Sequence, residues 1–150
     1  MSEHKAKIVW KREAPDFVYE TYNREHVWEF ESGQSLTASA APEFHGSADK
    51  ANPEQALVAA AASCHMLTFL ALAARKRIVV DSYRDEAAGT LAQNDDGKMA
   101  VTVIALNPQI TFAPGVEMSD EDLAALHAKA HRQCFIANSI TSRITVNGRE

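Results

Sequence analysis

From Ala56 through Ala74 the chain carries no charge, and then Arg75, Lys76 and Arg77 follow in a row. No other stretch limits the fold so strongly. It is long enough to cross a bilayer as a helix, and its flanking cations resemble a stop signal. Against a span, the run is rich in alanine, includes Ser63, His65 and Thr68, and lies between amphipathic strands that need each other. The reading that fits is a helix apolar all round and therefore buried all round. One layer of sheet covers one side of such a helix. Covering the other side calls for a second copy of the chain about a two-fold axis, with Ala59, Ala60, Ala61 and Ala62 letting the backbones approach. A homodimer is expected.

Local signals bound this helix. Asn52 suits the N-cap, Pro53 the first helical position, Glu54 the first turn, and Arg75 to Arg77 the C-terminal end. Before it, Lys5 to Arg12, Phe17 to Tyr22 and His26 to Phe30 read as strands, with a hairpin over 24–41 and a polar loop to Asn52. After it come β-rich arms from Ile78 to Ala92 and Lys98 to Phe112, joined at Asp96-Gly97, a strong hairpin pair. Pro108 marks a bulge or an edge. Ser119 caps a second helix that runs to about Cys134, and Ser142 to Asn147 is a last strand. Strands and helices come in blocks, which makes the class α+β. The 150 residues fit one domain.

Net charge of −5 argues against non-specific nucleic-acid binding. The N-terminal segment has no apolar core for an export signal, so the expected compartment is the cytoplasm, without membrane attachment. Two cysteines, Cys64 and Cys134, fit a reducing compartment as transient redox groups or as inert core. Cys64 lies about 15 Å along the helix from Glu54 and so gains little from the helix dipole. As a nucleophile it needs a cation from elsewhere; as a core residue among alanines it is inert.

Asn52-Pro53-Glu54-Gln55, then Cys64, then His131-Arg132-Gln133-Cys134 with Asn138 behind it, resemble the OsmC/Ohr family in motif and in spacing. These are osmotically inducible protein C and the organic hydroperoxide resistance proteins. The resemblance implies an intertwined homodimer of antiparallel sheets around a long buried central helix. It implies a thiol peroxidase without metal or other cofactor. Cys64 matches the peroxidatic cysteine, Cys134 the resolving one, and Glu54 the family's glutamate. Arg24 is the best match to the activating arginine, and Arg12 a weaker one. A guanidinium beside Cys64 favours the thiolate, and Glu54 is expected to orient Arg24 by a bidentate pair. The implied substrate is an organic hydroperoxide, and the implied reductant a dithiol such as protein-bound dihydrolipoamide. Met66, Phe135 and Ile136 are candidates for an apolar substrate pocket. His65 reads as a histidine hydrogen-bonded at the dimer interface. His131, one turn before Cys134, either lines the pocket or faces solvent.

Three rivals stand beside this. One is a non-enzymatic redox sensor or ligand-binding protein on the same fold. The second is a metal site from Cys64, His65, His131 and Cys134, disfavoured because adjacent helical residues point apart. The third is a structural dimer with inert thiols.

Overall fold

The structure is a computed structural model that describes residues 1–150. The chain forms two compact units, Met1–Ala56 and Leu57–Glu150.

In the first unit, β1 (Ala6–Val9), β2 (His26–Phe30) and β3 (Ser35–Ala38) make an antiparallel sheet in that order. Trp28 sits opposite Ile8 on one side and Leu36 on the other. The segment 17–22, expected as a strand, is a turn instead. Its aromatic alternation does not face a sheet. Phe17 and Tyr22 pack on each other at 5.1 Å and on Trp10 at 5.8 and 6.2 Å between ring centroids. Aromatic clustering thus overrides the local β pattern.

Helix α1 (Pro53–Arg75) begins in this unit and runs unbroken into the second. Asn52 caps it reciprocally with Gln55: Asn52 Oδ1 accepts from the Gln55 N–H at 2.9 Å, and Gln55 Oε1 accepts from the Asn52 N–H at 3.2 Å.

In the second unit each predicted β-rich arm is broken once. The first gives β4 (Val80–Asp85) and β5 (Ala88–Gln93), and the second β6 (Met99–Leu106) and β7 (Pro108–Phe112). β5 pairs with β6 and β4 with β7, both antiparallel. At the break, the Asn107 N–H donates to Asp85 Oδ1 at 2.7 Å and Asn107 Nδ2 donates to the Glu86 carbonyl at 3.1 Å. These bonds hold the bend where ladder pairing stops. Gly97 takes φ 74° in the β5–β6 turn, as that hairpin requires.

Ser119 caps α2 (Asp120–Gln133), its hydroxyl oxygen accepting from the Asp122 N–H at 3.0 Å. The chain then returns to β8 (Arg143–Val146), which lies parallel to β6. An antiparallel sheet was expected throughout; the crossover through α2 makes this one pair parallel.

The buried stripe of α1 is Ala61, His65, Phe69, Leu72 and Ala73. Ala61 packs with Ile104, Leu106 and Ile144 of the sheet. Phe69, Leu72 and Ala73 pack with Leu126 and Ala130 of α2. A Cβ on Gly89 would come within 2.5 Å of Val58 Cγ2, so glycine lets α1 lie close on β5. Burial in the single chain is one-sided. Ala59, Ala60, Ser63, Leu67, Ala71 and Ala74 form an exposed stripe. By length and composition α1 is apolar enough to span a bilayer, yet its inner stripe is seated against strands and α2.

Candidate active site: two thiols and an imidazole pair

Cys64 lies on α1, partly exposed, with its carbonyl accepting from the Thr68 hydroxyl at 2.8 Å. Cys134 caps the C-terminus of α2 and is 1% exposed. Both are free thiols. Helix α2 turns out of helical geometry at Cys134, whose N–H donates to the His131 carbonyl at 3.2 Å. A 3-10 turn over Ala137–Ser139 follows, and the Ala137 N–H donates to Cys134 Sγ at 3.4 Å. Burial first, and then the neighbouring Cys64 side chain, push the Cys134 thiol up to about 11. The two sulfurs therefore neighbour each other across α1 and the end of α2. Helix geometry brings residues 70 positions apart in sequence to one place.

Beside the thiols lies a buried imidazole pair. His65 is 1% and His127 is 5% exposed, and His65 Nε2 meets His127 Nδ1 at 3.0 Å. Their planes differ by 12° and their centroids are 5.3 Å apart. Rings face to face at van der Waals separation would sit nearer, so these two are joined end to end by one shared proton. Burial, with His127 and His131 nearby, pushes His65 down to about 4, and burial pushes His127 down to about 4. Both are neutral at pH 7. His65 is hydrogen-bonded, but inside its own chain rather than at the interface where that bond was expected. His127 was missed. The signal was present: His127, His131 and Cys134 stand at i, i+4 and i+7, one stripe of a helix.

Of the apolar pocket candidates, Ile136 is half-buried and packs with the Ala61–Ile104–Leu106 cluster, and Met66 is half-buried. Phe135 is 80% exposed, so within the single chain it lines no enclosed pocket. No group of three or more His, Cys, Asp or Glu side chains is arranged to hold a metal ion.

Arg24 and Glu54 are in the first unit, where they border one cavity of about 630 Å³ with Trp10, Phe17, Tyr22 and Phe44. The expected bidentate pair between them is not formed: neither residue is in any ion pair. The Arg24 guanidinium instead donates to the Tyr22 carbonyl at 2.6 Å and to the Tyr19 carbonyl, and lies 3.6 Å from the Tyr22 ring centroid. Aromatic faces and carbonyls take the place of the carboxylate. Arg12 is exposed and donates to the Pro15 carbonyl. α1 being continuous, Glu54 and Cys64 stand about 15 Å apart along its axis, ten residues at the helical rise.

Comparison with known proteins agrees with this architecture. The family model for OsmC-like proteins matches residues 46–148. An OsmC-like protein of unknown function from Vibrio cholerae has 41% identical sequence and superposes with a TM-score of 0.93, covering 98% of this chain and 99% of its own. An organic hydroperoxide resistance protein from Elizabethkingia anophelis is 20% identical with a TM-score of 0.72, over 97% of this chain and 93% of its own, a likeness of fold. An uncharacterized Bacillus subtilis protein, YmaD, is 27% identical over 81% of this chain and 82% of its own length. With a family match spanning the helix, both cysteines and the last strand, the chain belongs to the OsmC family.

Proposed function

We propose that this protein is a cysteine-based peroxidase that reduces organic hydroperoxides to alcohols. The observation that carries this reading is the neighbouring pair of free thiols, one reachable and one buried, on two helices of one unit. Organic hydroperoxide resistance proteins share the fold, which adds to its support.

The Cys64 thiolate attacks the terminal oxygen of the hydroperoxide. An S–O bond forms, the O–O bond breaks, and the departing alkoxide takes a proton to become the alcohol. The Cys134 sulfur then attacks the Cys64 sulfenic acid. The S–S bond forms, the S–O bond breaks, and the hydroxide leaves as water with the Cys134 proton. A dithiol, such as a lipoylated protein, reopens the disulfide by exchange. Two free thiols fit a reducing compartment, the cytoplasm. Arg24 supplies the positive charge at the reacting oxygen, with Glu54 on the rim of the same cavity, and Met66, Phe135 and Ile136 select apolar substituents.

A homodimer completes the site. Two features support it: the exposed stripe of α1, with Leu67 60% exposed among small residues, and the length of α1 between Glu54 and Cys64. In the dimer Arg24 and Glu54 of one chain serve Cys64 of the other. Leu67→Glu puts a charge on that stripe. It is expected to give a monomer by sedimentation that still titrates two thiols and has lost peroxidase activity. An active monomer contradicts the composite site.

The function is tested by steady-state reduction of cumene hydroperoxide with a dihydrolipoamide system. The wild type turns over, and Arg24→Met lowers kcat/KM about a hundredfold, the scale for removing one charged stabiliser of a transition state. Arg12→Met leaves it unchanged. A wild type that consumes no peroxide beyond one equivalent supports the redox-sensor alternative instead.

A further inference from the structure

Three successive main-chain carbonyls, those of Tyr22, Asn23 and Arg24, lie just before β2 and outside its ladder. Each is met by a side-chain nitrogen instead, as main-chain acceptors near a fold's interior require. The Arg24 guanidinium donates to the Tyr22 carbonyl at 2.6 Å, and the Trp10 indole N–H donates to the Asn23 carbonyl at 2.6 Å. His26 Nδ1 stands 2.8 Å from the Arg24 carbonyl. On the far side of the same ring, the Trp28 indole N–H donates to His26 Nε2 at 2.8 Å. His26 and Trp28 are two apart on β2 and so share a face of the sheet, their ring centroids 5.9 Å apart. An indole N–H only donates, so Nε2 is bare and the one hydrogen of the neutral imidazole is on Nδ1, which donates to the Arg24 carbonyl. A ring turned over would present carbon at both places and lose both bonds. Trp28 thus sets the tautomer and the orientation of His26.

We propose that His26, held in one tautomer by Trp28, is the positioning residue of Arg24 and acts through its main-chain carbonyl. The polar partners of the guanidinium are carbonyls of its own turn, at Tyr22 and Tyr19, and its aromatic face is Tyr22. Guanidinium and turn therefore move as one body, and where the charge stands depends on what ties that body to the sheet. On one side Asn23 bonds Trp10, Lys11 and Glu13. On the β2 side the tie is the ring of His26. His26 borders the same cavity as Arg24, yet both of its nitrogens are engaged, so it has no polar atom left for a substrate. Its effect on a reaction runs through Arg24. For catalysis this rests on the role proposed above for Arg24; for the placement of the arginine it does not. A charge moved by about 1 Å from a reacting oxygen loses up to about a hundredfold in rate, so one anchor among several is expected to carry about tenfold.

Long-range proton–nitrogen correlation spectra of the reduced full-length protein at pH 7.5 are expected to show the His26 hydrogen on Nδ1 and a bare Nε2. A hydrogen on Nε2 overturns the proposal. Two replacements separate the two ends of the ring. In His26→Asn the amide nitrogen falls where Nδ1 stood and still donates to the Arg24 carbonyl. In His26→Gln the amide falls where Nε2 stood and reaches Trp28 but not Arg24. The order parameter of the Arg24 Nε–H bond is expected to fall in His26→Gln and to hold in His26→Asn. In reduction of cumene hydroperoxide His26→Gln lowers kcat about tenfold, and His26→Asn recovers most of that loss. In an Arg24→Met background His26→Gln has no further effect, because the two residues act as a unit. Equal loss in both replacements, an Arg24 order parameter unmoved in His26→Gln, or a tenfold loss that persists without Arg24 overturns the positioning role. A wild type with the expected spectra that consumes no peroxide sinks the peroxide reading alone, and the order parameters then decide the placement of Arg24.

Discussion

Replacing Cys64 by serine is expected to abolish reduction of cumene hydroperoxide, to below a thousandth of the wild-type rate. A serine hydroxyl has the shape of the thiol but neither its acidity nor its nucleophilicity toward peroxide oxygen, and no other thiol takes its place, since Cys134 is 1% exposed. Cys134→Ser is expected to behave differently. Its Cys64 still reacts once, and the oxidation stops at a sulfenic acid that dimedone traps, with no disulfide and no turnover on the lipoyl system. Stopped-flow peroxide consumption and mass spectrometry of the trapped adduct distinguish the two. Equal loss of the first oxidation in both variants contradicts the division of roles.

The second large effect concerns stability. His65 and His127 are held neutral with folded values of about 4, against 6.5 for the free imidazole. Between those values the unfolded chain binds protons that the folded chain refuses. Stability is therefore fully present above pH 6.5, falls as pH drops, and has lost this contribution once pH passes below about 4. The pair acts together, and the contribution lost is a substantial part of a domain's stability. Asp85, raised by burial, works in the opposite sense, as its protonated form is the one the fold prefers. Urea unfolding at pH 7.5 and at pH 4.5 measures the difference. In the double variant His65→Leu with His127→Leu, apolar side chains beside Phe69, the drop is expected to flatten. A wild-type midpoint that does not move over this range contradicts the buried neutral pair.

What the sequence made legible follows from where local chemistry and tertiary demand agree. The Asn52 and Ser119 caps and the Asp96-Gly97 turn are local devices, and each is formed as read. Phe17 to Tyr22 shows the opposite case. Its alternation satisfies a strand pattern, yet its rings cluster on Trp10 and Arg24. The parallel pairing of β6 and β8 depends on how α2 crosses between them, which no local pattern encodes. Around the site, the two cysteines were legible through spacing. His127 stands on the same helix stripe as His131 and Cys134 but outside the motif that drew attention to them, and its pairing with His65, 62 positions away, is made only by the fold. The company of Arg24 was also hidden: an arginine's choice between carboxylate and aromatic face is made by folding of the loop that carries it.

The most direct measurement of the central claim, that the sulfurs of Cys64 and Cys134 meet as one redox pair, is non-reducing peptide mapping after one equivalent of cumene hydroperoxide. The account predicts a single intrachain linkage joining the peptides that contain residues 64 and 134, reversed by dihydrolipoamide. Two unlinked thiols at full peroxide exposure, or a linkage only between the same cysteine of two chains, contradicts it.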